Sequence, residues 1–172
     1  MSERNDVVKM KGGPITLIRN EVKVGDDAPD FTVLDENLQP VKLSDFKGKT
    51  AVISSVPSLD TPVCDTETRR FNHEAAGLSD DVAILTISMD LPFAQARWCG
   101  AAGIEKVKVY SDYRDADFGN AFGVLIKELR LLARTIFIVD KNGKVQYIQY
   151  VEETTTEPDY NAVFKALKEI SG

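Results

Sequence analysis

Apolar and polar positions follow two rhythms along this chain. "TAVISSV" at residues 50–56 and "VAILTISM" at 82–89 are nearly unbroken apolar runs, the pattern of short strands covered on both faces. "RTIFIVDKNGKVQYIQYV" at 134–151 is a pair of β-rich runs around Asn142-Gly143, which predicts a hairpin with a type I′ turn. "VKVYSD" predicts a further short strand. "VGDDAPDFTVLD" predicts a turn at Asp26 to Pro29 and a strand from about Phe31, and "LSDFKGK" reads as the turn ahead of residue 50. Near the N-terminus, "VVKMKGGPITLI" has two β-like runs around Gly12, Gly13 and Pro14, the signature of a hairpin.

Helical periodicity fills the gaps. One segment of about four turns runs from Pro62 to about Ala76. "LPFAQARWCGAAG" carries Pro92 early and Gly103 late, the usual asymmetry of helix start and stop. "RDADFGNAFGV" reads as a short helix. "EPDYNAVFKALKEI" is amphipathic, with Ala162, Phe164, Leu167 and Ile170 near one face and Pro158 in its first turn. Strands alternating with helices predict a parallel centre, to which the last hairpin adds two antiparallel neighbours. The expected fold is α/β, a mixed sheet flanked by helices on both faces. This is the thioredoxin-like arrangement, here preceded by a β-hairpin. No repeat, low-complexity stretch or linker interrupts residues 1–172, so a single domain is expected.

Composition narrows the function classes. A net charge of −6, with Lys and Arg scattered rather than blocked, argues against nucleic acid and anionic membrane as main partners. No run of about 18 apolar residues predicts a membrane span. "MSERNDVVKMKGG" lacks the apolar core of a secretory signal, so a cytoplasmic protein is expected. Two cysteines cannot build a disulfide framework, and with one histidine they are too few for a zinc site. No metal or cofactor is expected, and His73 in "RRFNHEAAG" reads as a solvated or packed helix residue.

The candidate chemistry sits in "SVPSLDTPVCDTETRRF", residues 55–71. Thr61 can serve as a helix N-cap and Pro62 is favoured at the first helical position, which puts Cys64 in the first turn. Free backbone N–H groups and the positive end of the helix dipole face it there, and both favour a thiolate. Asp60 and Asp65 work against that charge, so a cation is needed nearby. Arg134 opens the apolar strand in "LLARTIFIVD". That strand should run antiparallel to residues 50–56 and bring Arg134 to the carboxyl end of that run, where open α/β sheets form their sites. The competing reading is a strand-end arginine reaching solvent. Cys99, in "QARWCGAAG", lies 35 residues after Cys64 on a predicted helix. Alone it reads as a small buried apolar residue, or as half of a structural disulfide, which cytosolic conditions disfavour.

"PSLDTPVC" resembles the peroxiredoxin active-site pattern of a proline, then Thr or Ser, then Cys three residues later. "DLPFAQARWCG" resembles the resolving-cysteine helix of the atypical two-cysteine peroxiredoxins, the bacterial thiol peroxidases. "LLARTIFIVD" is similar to their arginine strand and "TTEPDYNAVFKALK" to their C-terminal helix, so the resemblance spans nearly the whole chain. It implies that Cys64 is the peroxidatic cysteine, attacking hydrogen peroxide or an organic (alkyl or lipid) hydroperoxide and becoming a sulfenic acid. Cys99 would then attack that sulfur, release water and close a Cys64–Cys99 disulfide, which thioredoxin reduces. Antioxidant defence and a homodimer with its interface near the active-site turn are implied as well.

An unperturbed thiol is already about 3% thiolate at pH 7, so fuller ionisation raises the reactive fraction only about 30-fold. Further acceleration must come from holding the peroxide and stabilising charge on the leaving oxygen. Arg134 is the candidate for that, with Thr61 as a hydrogen-bonding partner of sulfur or peroxide and Pro57 as a shield against water. The two cysteines lie on different helices, and a disulfide needs Cα atoms within about 7 Å. Either the first turn at Cys64 or the Cys99 helix is therefore expected to unwind during the cycle. "GVLIKELRLLA" at 123–133 either borders the pocket, where it would favour alkyl or lipid hydroperoxides, or is a packed arm or dimer contact. Two other functions use the same chemistry. A general thiol–disulfide oxidoreductase would carry C-x-x-C, where position 61 here is Thr. A peroxide-sensing switch would oxidise once and stall.

Overall fold

The computed structural model describes residues 2–171. Strands β1 (Glu3–Met10) and β2 (Gly13–Ile18) form a separate antiparallel pair. Seven further strands make one sheet: β3 (Thr32–Leu34), β4 (Pro40–Lys42), β5 (Thr50–Ser55), β6 (Val82–Ser88), β7 (Lys108–Ser111), β8 (Thr135–Val139) and β9 (Val145–Tyr150). Their spatial order is β4-β3-β7-β6-β5-β8-β9. β5, β6 and β7 are parallel, while β8, β9, β3 and β4 add antiparallel pairings on the two sides. Helices α1 (Pro62–Ala75), α2 (Pro92–Ala102), α3 (Asp117–Ala121) and α4 (Tyr160–Ser171) complete the chain. The expected mixed sheet, its helices and the leading hairpin are all present. β4, which the sequence reading does not separate from its turn, is a three-residue edge strand opening on Pro40, a position that needs no ladder N–H.

Continuous apolar runs form these strands because both sheet faces are covered. On β5, Ala51 and Ile53 join the larger core while Val52 points to the other face. On β8, Phe137 and Val139 face the first side, and Ile136 and Ile138 the second. α3 and the N-terminal pair cover the larger core through Phe118, Phe122 and Leu17; α1 and α4 cover the smaller one through Phe71, Val163 and Leu167. Each fully buried Ile, Leu or Phe here contributes about 2 kcal/mol by removal from water.

Three local readings change, and an open fourth is settled. The β8–β9 hairpin exists, but Asn142 is not in the left-handed region; Gly143 alone is, at φ 81°. The Asp140 carboxylate accepts the N–H groups of Asn142 and Lys144, and the Asp140 carbonyl accepts that of Gly143. That favours a type I turn closed by a left-handed glycine over I′. The I′ pattern belongs instead to the first hairpin, where Lys11 and Gly12 have φ 52° and 79° between the paired Met10 and Gly13. α4 begins only at Tyr160, so Pro158 lies ahead of its first turn, and Asp159 caps it by accepting the Ala162 N–H at 3.1 Å. Its buried residues are Val163 and Leu167, flanked by Phe164, Ala166 and Ile170, so Ala162 lies off the packed face. Finally, the segment 123–133, read as a pocket border or a packed arm, is packed into the core at both ends: Val124, Leu125, Ile126, Leu132 and Ala133 are fully buried and Leu17 bridges Ile126, while residues 127–130 between them are exposed.

Candidate active site

β5 ends at Ser55, and the chain turns through Val56 to Thr61 into α1. Pro62 starts the helix with its fixed φ, after Thr61 in extended geometry (φ −95°, ψ 146°). Thr61 caps by backbone alone: its hydroxyl accepts no backbone N–H and instead donates to the Ser58 carbonyl at 2.9 Å. Its proton is thereby engaged, and its lone pairs remain available as acceptors. Cys64 is the third helical residue, among the first-turn amides that no helix carbonyl reaches.

The Cys64 sulfur is fully buried, and so is the cation beside it. Arg134, 1% exposed, donates from Nη2 to Cys64 Sγ at 3.1 Å. Its Nε donates to the Thr154 carbonyl at 2.9 Å and its Nη1 to Glu67 Oε2. Glu67 in turn accepts the Ser54 hydroxyl at 2.9 Å. β5 fixes the arginine's backbone from both sides: Ser55 Oγ donates to the Ala133 carbonyl at 2.7 Å and meets Thr135 Oγ1 at 2.5 Å. Ser55 has one proton, so Thr135 is the donor in the second contact. Burial opposes the Arg134 charge, but Glu67 and Cys64 outweigh it and hold the guanidinium above its ordinary value. Burial pushes the Glu67 carboxyl up, against the pull of Arg134 and Ser54.

A cleft of about 340 Å³ opens onto this centre. Its walls are Pro57 and Thr61 to Val63 from the turn, Thr154 and Thr155 after β9, and Met10 and Lys11 at the tip of the first hairpin, with Arg134 among them. The structure thus brings Cys64, Arg134, Thr61 and Pro57 together, as the sequence predicts. Cys99 is elsewhere. It is half-buried on α2 and lines a second cleft with Glu36, Ile104 and Tyr110, where burial and then Glu36 push its thiol up. Both cysteines are free thiols. His73 is exposed on the last turn of α1.

Three neighbours of the site escape the sequence reading. Glu67 is the first; its signal is the spacing Cys64, Glu67, Thr68, Phe71, which is the buried face of α1. Asp90, before α2, is the second: its carboxylate accepts Ser58 Oγ at 2.7 Å, the Leu59 N–H at 2.9 Å and Ser88 Oγ at 2.7 Å, fastening the Cys64 turn to the end of β6. Trp98 is the third, donating from Nε1 to Asp65 Oδ1 at 2.9 Å.

A thioredoxin-like sheet that presents a buried thiol at a helix start, bonded to a buried guanidinium, defines a thiol-based redox protein. The profile of the Redoxin family matches residues 23–164. The chain is 61% identical over 161 residues to a thiol peroxidase of Bacillus subtilis, covering 94% of this chain and 96% of that one. It is 51% identical over 163 residues to a thiol peroxidase of Staphylococcus aureus, covering 95% and 98%. Among solved structures, a peroxiredoxin-like protein from Aquifex aeolicus superposes with a TM-score of 0.89 at 47% identity, over 95% of this chain and 96% of that chain. The chain belongs to the Redoxin family, among its thiol peroxidases.

Proposed function

We propose that the protein reduces hydrogen peroxide and organic hydroperoxides at Cys64, with residues 1–172 acting as one unit in antioxidant defence. The Cys64 thiolate attacks one peroxide oxygen, the O–O bond breaks, and sulfur becomes a sulfenic acid while water or an alcohol leaves. The observation that carries this reading is the 3.1 Å bond from Arg134 Nη2 to Cys64 Sγ at the edge of the cleft. A cation fixed there stabilises the thiolate and then the charge developing on the leaving oxygen. Thr61, its proton engaged by Ser58, accepts from the peroxide's O–H, and Pro57 keeps bulk water from the sulfur. Met10, Val63 and the two prolines make the cleft wall apolar enough for an alkyl group.

Cys99 then closes the Cys64–Cys99 disulfide, which a dithiol reductant, thioredoxin, returns to two thiols. The reading extends to a homodimer: Leu91 and Phe93, exposed at the start of α2 next to Asp90, offer an apolar contact near the active-site turn. Among the described residues no helix is long and apolar enough to cross a membrane. We assign its work to the cytoplasm, where reduced dithiols are available.

Stopped-flow oxidation of wild type, Cys64→Ser and Cys99→Ser by hydrogen peroxide and an alkyl hydroperoxide tests this. Wild type should turn over with thioredoxin and its reductase. Cys99→Ser should oxidise once and then stall or over-oxidise. Peroxide consumption by Cys64→Ser at the wild-type rate would refute the assignment, and a wild type that oxidises once and stalls would point to a sensor.

A further inference from the structure

The structure assigns Trp98 as the gate of the second step, an inference that rests on the proposed Cys64–Cys99 cycle. The indole reaches from α2 to pack against the small apolar cluster that Val56, Leu59 and Cys64 form. Its sequence neighbour Cys99 meanwhile lines the other cleft. The residue before one cysteine thus packs on the cluster that holds the other.

The indole is fixed there by residues of α1. Its Nε1 donates to Asp65 Oδ1 at 2.9 Å, and Asp65 follows Cys64 directly. Arg69 pairs with the other Asp65 oxygen at 3.0 Å and lies over the indole, 5.8 Å from the ring centroid. Arg69 Nη1 also reaches the Ala102 carbonyl at 3.4 Å, tying the end of α2 to the same cluster.

This arrangement orders the reaction. While Trp98 is seated, the flank of Cys64 is closed to Cys99 and the sulfur stays beside Arg134. For the disulfide to form, the indole must leave and the Trp98–Cys99 turn of α2 must swing. Cys99 sulfur then attacks the Cys64 sulfenic sulfur, the S–O bond breaks, and the oxygen departs with its own proton and that of Cys99 as water. No further oxidant is consumed. The dwell time before opening is the interval in which a second peroxide drives Cys64 to the sulfinic acid.

Rapid-quench mass spectrometry of the full chain after one equivalent of hydrogen peroxide separates sulfenic acid, disulfide and sulfinic acid. In Asp65→Ala and Trp98→Phe, sulfenic acid should appear within about threefold of the wild-type rate, but its conversion to disulfide should be about tenfold faster, the factor for losing one hydrogen bond to a charged acceptor. Sulfinic acid should fall in both. Trp98 is the only tryptophan, so wild-type emission should change with disulfide formation and not with sulfenic acid formation. Conversion at the wild-type rate in Trp98→Phe, or emission that follows the first step, would overturn the gate while leaving the peroxidase reading intact. A wild type that forms no sulfenic acid on Cys64 would overturn that reading first. Trp98→Phe preserves ring packing, so with the wild-type emission it decides the question even if Asp65→Ala does not fold.

Discussion

Arg134 is committed on three sides before any substrate arrives: to Thr154, to Glu67 and to Cys64. Only a planar fork of donors can serve all three at once, and a lysine ammonium keeps the charge without the geometry. Arg134→Lys should therefore slow Cys64 oxidation by ~10², the scale of losing one preorganised donor. Stopped-flow peroxide consumption measures this, and a variant within a few-fold of wild type would contradict it. Glu67 has a different task, neutralising a cation that is out of water. Glu67→Gln keeps an acceptor but strands that charge, so unfolding in urea should show a loss of about 3 kcal/mol. The contrast in legibility is instructive. Cys64, Thr61 and Pro57 are local, and Arg134 follows from strand direction, so sequence reaches all four. A glutamate inside a charged helix reads as solvated; its burial depends on a partner 67 positions away, visible only if the spacing from Cys64 is taken as a face.

α3 is a five-residue helix whose start is held by one carboxylate. Asp112 accepts the Phe118 N–H at 3.0 Å and the Gly119 N–H at 2.8 Å, and burial raises it to about 6 despite these bonds. The folded state therefore binds this proton more tightly than the unfolded chain does. Its stabilisation is complete below the ordinary value of 3.8 and is lost as pH rises through about 6. The difference in unfolding free energy between wild type and Asp112→Asn should shift by roughly 2 kcal/mol in favour of the variant between pH 4 and pH 7. Parallel pH profiles would disprove it. Elements themselves were readable because both-face burial writes continuous apolar runs into β5, β6 and β8. Turn types were less so, since Asp140 redirects the second hairpin through side-chain bonds that the Asn-Gly pair does not announce.

At the scale of the molecule, the exposed face at the start of α2 stands out. Phe93 is 65% exposed, beside Leu91 at 50%. If two copies meet there, Phe93→Glu should shift sedimentation from dimer to monomer at micromolar concentration, and an unchanged sedimentation coefficient would remove this face from consideration. Where the β1–β2 pair docks was the least legible feature of the fold. It depends on contacts far apart in sequence, such as Leu17 with Ile126 and Lys9 with Thr154. That docking also brings Met10 and Lys11 to the cleft. Part of the cleft's wall is thus a hairpin tip that shares no bond with the sulfur, the guanidinium or either redox helix. Turns of this kind tolerate exchange and insertion at little thermodynamic expense. Selectivity and chemistry are therefore separable in this architecture: the range of peroxides admitted can drift, or be re-engineered, at the hairpin tip while the reactive centre stays untouched.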